Sequence, residues 1–338
     1  MKYPKFLKEN DTIALIATSL GSNHDPYRTR LKVAIDKLSL KFNIKKGHRL
    51  FRNKEAVSSP HDKRAKEFNL LYKNKKVDFI YSIAGGQIMM GMLPYVDFEK
   101  IKKLTPKYFC GFSDNTNLTF TLTTICDVAT IYGNSPSSFA YDNLNVDAID
   151  TLDLLLGKKL KFDSYPKYHG INSRIETDNP LENLVYNDEN YIKSLRNDKE
   201  EFEGRIIGGC IDVLVCLCGT KFDNVKNFIE KYKDDGIIWY FDPCDFNSCG
   251  LYRALLQLEL AGWFKYVKGF VVGRNANSLE LFDYTFKQAI EDVLAKYDVP
   301  VLYEADISHV RPDMPVINGA IAKVNYQDGK YSIEYFLR

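Results

Sequence analysis

The segment Gly111-Phe112-Ser113-Asp114-Asn115-Thr116 stands where the apolar run Tyr108-Phe109-Cys110 gives way to a helical pattern. A serine at the tip of a strand-to-helix turn holds its hydroxyl clear of a sheet, beside backbone N–H groups that no intrahelical bond uses. That arrangement suits a nucleophile for acyl transfer. A serine before a helix also suits an N-cap, so the residue type alone leaves both readings open. Serine hydrolysis further requires an imidazole to take the proton, an acid to orient that imidazole, and N–H donors for the oxyanion. Of His24, His48, His61, His169 and His309, only His309 falls in a loop after a strand-like run, Val301-Leu302-Tyr303-Glu304, and ahead of another. Asp306 and Pro312 flank it, and a solvated loop histidine is the alternative. Gly85-Gly86 directly follows another apolar run; two glycines allow a positive φ and close backbone approach, as an oxyanion donor needs or as a plain tight turn needs.

The elements that must carry these residues follow from periodicity. Asp11 to Thr18 reads as a buried strand, and Arg30 to Leu38 as a helix with Leu31, Ile35 and Leu38 on one face. A helix over Asp62 to Asn74 precedes a strand over Val77 to Ala84, and the helix after Ser113 places Leu118, Leu122 and Ile125 together. Strands alternating with helices imply parallel pairing with both faces covered, and sites in such sheets gather at strand C-terminal ends. From about Lys159 to Glu203, Pro166, Gly170 and Pro180 interrupt any period, as in a linker or substrate loop. A second set of elements follows: strands Gly236 to Asp242 and Lys268 to Gly273, a helix with Leu251, Leu255 and Leu258, a helical stripe of Phe282, Phe286, Ala289 and Val293, and a strand pair within Val316 to Phe336. The expected fold is therefore α/β: an N-terminal parallel-sheet domain with flanking helices, residues 1–158, and a C-terminal α/β domain, residues 204–338. Residues 159–203 connect them.

Composition excludes several function classes. With 46 basic and 44 acidic residues among 338, the net charge of +2 gives little field to attract nucleic acid. No stretch reaches the roughly 20 apolar residues that span a bilayer, so no membrane partner is expected. Charged residues follow Met1 in place of an apolar signal core, and the seven cysteines suit a reducing compartment; a cytoplasmic protein is expected. Cys216-Leu217-Cys218 and the pair Cys244 and Cys249 lack zinc-site spacing, and buried thiols are expected. Neither a Walker loop nor a G-x-G-x-x-G fingerprint occurs.

Several pieces, taken in order, resemble the LD-carboxypeptidase family of serine peptidases, which includes murein tetrapeptide carboxypeptidases and microcin C immunity peptidases. They are Asp11-Thr12-Ile13-Ala14, Arg64-Ala65, Ala84-Gly85-Gly86, Leu93-Pro94-Tyr95-Val96-Asp97-Phe98, Pro106-Lys107, Gly111-Phe112-Ser113-Asp114 and Tyr132-Gly133. Gly208-Gly209, Gly219-Thr220, Arg253 with Gln257-Leu258, Ala261-Gly262, Ser308-His309 and Pro315-Val316-Ile317-Asn318-Gly319 continue the series. The resemblance implies a Ser, Glu, His triad shared between two domains across a cleft, with Ser113 as nucleophile, His309 as general base and the N–H groups of Gly86 and Asp114 as the oxyanion hole. Asp114 is then a turn residue whose side chain caps the following helix. Where the family places its glutamate, this chain reads Phe241-Asp242-Pro243-Cys244-Asp245, and the position falls on Phe241 or Asp242, with Asp242 the expected acid. Thr18-Ser19 and Asn134 also depart from the pattern and are expected to alter pocket edges alone.

A carboxypeptidase must hold a terminal carboxylate, for which Arg274 and Arg311 are candidates, along with the Gly85 backbone; a salt-bridge role is the alternative for either arginine. The expected substrate is a small peptide such as a murein tetrapeptide. The alternatives are a peptidyl or aminoacyl nucleotide, on whose base Tyr186 or Tyr191 would stack, and a binding protein of the same fold with impaired turnover. The chemistry calls for no metal or organic cofactor, and family analogy suggests a homodimer.

Overall fold

After its first residue, the run Thr12-Ile13-Ala14-Leu15-Ile16 is buried throughout, as a strand covered on both faces must be. In the computed structural model, which describes residues 1–170 and 179–338, this strand (β1, Thr12–Ile16) is central to the first of two units. The first comprises Met1–Lys159 and Ile175–Leu184, the second Leu160–Arg174 and Val185–Arg338.

The first unit continues with α1 (Tyr27–Ser39), β2 (Asn43–Lys46), α2 (His61–Lys73), β3 (Phe79–Ser82), α3 (Phe98–Ile101), β4 (Tyr108–Gly111), α4 (Thr116–Cys126), β5 (Thr130–Tyr132) and α5 (Val146–Leu155). Its strands run parallel in the order β5-β4-β3-β1-β2. The chain progresses one way from β1 to β2 and the other way from β1 through β3 and β4, so the loops after β1 and β3 diverge at a topological switch point, where open α/β sheets form their sites. Leu31, Ala34, Ile35 and Leu38 bury one stripe of α1. Helix α4 departs from the expected single apolar face: Leu118 and Leu122 are buried but Ile125 is only half-buried, and the threonines are buried too. These hydroxyls tolerate burial because Thr121, Thr123 and Thr124 donate to the carbonyls of Asn117, Thr119 and Phe120, one turn back.

The second unit contains β6 (Lys161–Asp163), β7 (Lys167–Tyr168), β8 (Asp188–Glu189), β9 (Lys193–Ser194), β10 (Lys199–Cys210), α6 (Ile211–Leu217), α7 (Val225–Lys231), β11 (Ile237–Asp242), α8 (Ser248–Leu260), β12 (Val267–Gly273), α9 (Phe286–Leu294), β13 (Val301–Ala305), β14 (Val316–Asn318), β15 (Ile321–Gln327) and β16 (Lys330–Phe336). Among the described residues its main sheet runs β6-β16-β15-β10-β11-β12-β13-β9, parallel from β10 to β13 and antiparallel at both flanks. Trp239 of β11 stacks on Trp263 with ring centroids 5.4 Å apart, within the aromatic core between this sheet and its helices. Asp328 and Gly329, at φ +49° and +82°, form the two-residue turn of the β15–β16 hairpin, as Asp-Gly favours.

Two expectations need correction. The stretch 159–203 is not a continuous irregular segment: it supplies β6 and β9, which edge the sheet, and it begins β10. These strands are two or three residues long, too short for a periodicity to register. Phe282 lies outside the helical stripe expected to include it, at φ +56° and 90 % exposed. The helix starts later because Thr285 and Gln288 form a reciprocal capping box, with Phe286 as the first helical residue.

Candidate active site

Ser113 lies one residue beyond the end of β4, after Phe112, and adopts φ +61°, a left-handed conformation that costs a non-glycine residue on the order of 1 kcal/mol. It is not an N-cap: Asn115 occupies that place on α4, with no side-chain capping bond. Its own N–H donates to the Tyr132 hydroxyl at 3.1 Å, while among the described residues no hydrogen bond takes the N–H of Asp114 or of Gly86. The glycine pair is packed close around this turn. A Cβ on Gly85 would stand 2.9 Å from the Ser113 Cβ, and one on Gly86, at φ +157°, 2.2 Å from the Ser19 hydroxyl. A side chain at Gly85 would press on the Ser113 turn, and one at Gly86 on Ser19 and Leu20 in the loop after β1.

Buried polar side chains fix the turn. Asn115 donates to the carbonyls of Ala84 and Phe112, both at 2.9 Å, and accepts from the Thr18 hydroxyl at 2.6 Å, so one amide ties the loops after β1, β3 and β4 together. The expectation that the Asp114 side chain caps the helix is corrected. Its carboxylate accepts from the Ser19 hydroxyl at 2.5 Å, the Met89 N–H at 3.0 Å and the Asn117 amide at 3.0 Å. Burial pushes its pKa above the usual carboxylate range, against those bonds and the Arg64 charge. Ser19, read from sequence as a pocket edge, is therefore part of the support beneath the Ser113 turn, as is buried Arg64, which donates to the Thr18 carbonyl.

In the second unit, Asp242 ends β11 and is fully buried, and His309 lies in the loop after β13. One carboxylate oxygen of Asp242 takes both the His309 backbone N–H, at 3.0 Å, and its ring Nδ1–H, at 2.9 Å. Side chains alternate along a strand, and the preceding Phe241 points the other way, into the aromatic core against Trp239 and Phe264. Burial is the strongest influence on the imidazole and opposes its charge. The Asp242 carboxylate and the Cys244 thiol, which is hydrogen-bonded to the ring, together outweigh it and hold the His309 pKa well above 6.5. The ionised ring thus stabilises the fold fully below about 6.5, and that contribution is lost as pH rises through the higher folded value. Burial pushes the Cys244 thiol itself up. Cys110, Cys126 and Cys210 are buried as expected, whereas Cys216 is exposed and Cys218, Cys244 and Cys249 are partly so.

The remaining candidates separate. Arg274 does not face a substrate: it is 2 % exposed, donates to Asp306 at 2.7 Å and Asn190 at 2.9 Å, and lies over the Tyr168 ring. Asp306 also accepts from the Tyr165 N–H and the Asn190 amide, and burial raises its pKa despite the arginine. Asp306→Asn would leave a buried guanidinium without its counter-charge and is expected to lower the unfolding free energy by about 3–5 kcal/mol, read from the urea midpoint; a loss below about 1 kcal/mol would refute the structural role. Half-buried Arg311 shares the loop of His309, and its carbonyl accepts from the His169 N–H at 2.8 Å. Tyr191 is corrected as a stacking residue. Its ring lies against Gly329, in the turn after Gln327, and Gln327 pairs with Lys199 at the start of β10. Asp242 pairs with Cys210 at the other end of β10. Tyr186 is half-buried.

A cavity of about 740 Å³ in the first unit is lined by Lys5, Lys8, Tyr72, Val77, Pro106 and Lys107. It lies by the N-terminal ends of β3 and β4, the opposite end of the sheet from Ser113. Among the described residues no group of three or more His, Cys, Asp or Glu side chains is placed to hold a metal, and no helix is long and apolar enough to cross a membrane.

Residues 13–133 match the LD-carboxypeptidase N-terminal domain, and residues 203–324 match the LD-carboxypeptidase C-terminal domain. The chain belongs to the LD-carboxypeptidase family. It is accordingly an LD-carboxypeptidase-like serine peptidase. A relative named "Probable murein peptide carboxypeptidase", from Bacillus subtilis strain 168, is 23% identical over 334 residues, spanning 98% of this chain and 94% of that protein. The Escherichia coli "Microcin C7 self-immunity protein MccF" is 25% identical over 281 residues, spanning 80% of this chain and 77% of that protein. A structure of MccF with aspartyl sulfamoyl adenosine superposes with a TM-score of 0.81 at 21% identity, covering 98% of each chain, which shows that this chain shares the MccF fold.

Proposed function

We propose that this LD-carboxypeptidase cleaves the amide bond next to a terminal carboxylate in a murein tetrapeptide, with Ser113 as nucleophile, His309 as general base and Asp242 as the orienting acid. The observation that carries the reading is the 2.9 Å hydrogen bond from His309 Nδ1 to Asp242. It selects the tautomer whose other nitrogen, Nε2, takes the Ser113 proton as Oγ attacks the substrate carbonyl. The oxyanion that forms is met by the N–H groups of Gly86 and Asp114. Nε2 then returns the proton to the departing amine, leaving an acyl-serine that water hydrolyses by the same sequence. Arg311 would pair with the terminal carboxylate. The reading includes a cytoplasmic location and a homodimer.

The nucleotide reading is supported by the likeness to MccF and by the ligand in that protein's structure. The placement of Tyr191 removes one of the two aromatics that would have stacked on a base, and so favours the peptide. The test is an assay of a murein tetrapeptide beside an aminoacyl sulfamoyl adenylate, followed from pH 5 to 9. Release of the terminal residue from the tetrapeptide is expected to rise with pH through the His309 ionisation, with an acid limb above 6.5, because only the neutral ring accepts the serine proton. Cleavage of the adenylate alone would replace the substrate assignment, and binding of both without cleavage would leave a non-catalytic protein.

A further inference from the structure

Asp212 stands in the first turn of α6, which follows β10 with no intervening loop. Because β10 pairs in parallel with β11 and Cys210 lies opposite Asp242, Asp212 is carried just past the end of the strand that Asp242 terminates. Its two carboxylate oxygens grip successive backbone N–H groups of the turn that follows: Oδ2 accepts from Cys244 and Oδ1 from Asp245, each at 3.0 Å. Oδ2 also takes the Cys210 thiol at 3.6 Å, and the Pro243 carbonyl between these groups accepts from the Ala276 N–H at 3.2 Å. The turn held in this way begins immediately after Asp242 and carries Cys244, whose thiol reaches the His309 ring.

We propose that Asp212 is a positioning residue for general-base catalysis, its carboxylate clamping the 243–245 turn so that Asp242 and Cys244 hold the His309 imidazole in one orientation. This rests on the assignment of His309 as the base. An aspartate has little slack as an orienting acid, because its short side chain transmits any backbone shift at residues 243–245 directly to the imidazole. The carboxylate form is the one that fits, since both oxygens must accept. In Asp212→Asn one oxygen becomes an NH₂ donor facing a backbone N–H, and half of the clamp turns repulsive. The titratable groups around the histidine and the clamp are Asp242, Cys244, Cys210 and Asp245, and the substitution leaves all of them in place.

The experiment compares wild type and Asp212→Asn in the full chain by three readouts: tetrapeptide hydrolysis, the downfield NMR signal of the His309 Nδ1 proton, and amide exchange at Cys244 and Asp245. The variant is expected to lower kcat about 10- to 100-fold with KM within about threefold, as a misplacement near 1 Å does. The Nδ1 signal should broaden or disappear, and the two amides should exchange faster, while the thermal transition stays cooperative. A kcat within about twofold of wild type, or an unchanged Nδ1 signal in the folded variant, would overturn the proposal. Should Asp212→Asn fail to fold, Asp212→Ser keeps one acceptor without the opposing donor, and the same readouts decide. The NMR and exchange measurements need no substrate. Failure of the peptidase reading would therefore appear as an intact, Asp212-dependent imidazole signal without hydrolysis, and failure of the clamp as hydrolysis indifferent to Asp212.

Discussion

Ser113→Ala is expected to lower kcat for the tetrapeptide by about 10⁶-fold while the substrate still binds, because the proposed triad would act as a unit, and loss of a triad's nucleophile costs about as much as loss of the whole set. A residual rate of about 10³ to 10⁴ over water would persist from the oxyanion donors. The turn should survive the change. The Ser113 contact to Tyr132 is made through the backbone N–H, which alanine keeps, and the loops around it are tied by Asn115 and Asp114. Alanine tolerates φ +61° about as well as serine, so the variant is a test of the hydroxyl alone. The check is twofold: steady-state turnover, and covalent labelling by a serine-directed phosphonate read by mass spectrometry. Wild type should gain one adduct on the peptide containing Ser113 and the variant none. Turnover within about tenfold of wild type in Ser113→Ala would remove serine 113 from the chemistry.

How far the sequence reveals this architecture depends on the range of the interaction involved. Strands such as Thr12–Ile16 and Ile237–Asp242 are visible because each is an unbroken apolar run, and a strand buried on both faces needs little else. The Asp-Gly turn of the last hairpin is likewise a local backbone requirement met by local residues. Strand alternation sends the neighbours Phe241 and Asp242 to opposite faces, a consequence the spacing from Arg253 does not carry: the phenyl ring lies in the core, and the carboxylate accepts from His309. Arg274 and Tyr191 show the opposite case. An arginine after a strand end looks available for a carboxylate until Asp306, 32 positions away in the chain, is seen to engage it. A tyrosine in an irregular stretch looks available for stacking until strand register carries it to the far end of the sheet. Asp212 left no signal, since a carboxylate in the first turn of a helix is ordinary, and its function lies in two N–H groups of a turn more than thirty residues on.

Asp242→Asn tests the proposed orienting acid apart from every other contribution to the reaction. The side chain keeps its volume, but an amide can present its NH₂ to Nδ1 and so favour the tautomer with the proton on Nε2, which cannot take a proton from serine. The expected loss in kcat is about 10⁴-fold, the size seen when a triad acid is neutralised. A second consequence follows from the balance of influences on the ring. In the wild type, burial opposes the imidazolium and is outweighed by the Asp242 carboxylate together with Cys244. With the carboxylate gone, only Cys244 is left to oppose burial and the His309 pKa should fall, so the acid limb of the pH–rate profile moves to lower pH as the plateau drops. A merely structural aspartate would lower the plateau by unfolding some of the enzyme and leave the limb in place. Asp242→Glu supplies the family's own residue, but its extra methylene must fit where one oxygen now meets two N–H groups at 2.9 and 3.0 Å. It should retain the wild-type limb with a plateau between those of wild type and Asp242→Asn. An unchanged profile in Asp242→Asn would transfer the orienting role to another carboxylate and leave the hydrogen bond to His309 a feature of folding alone.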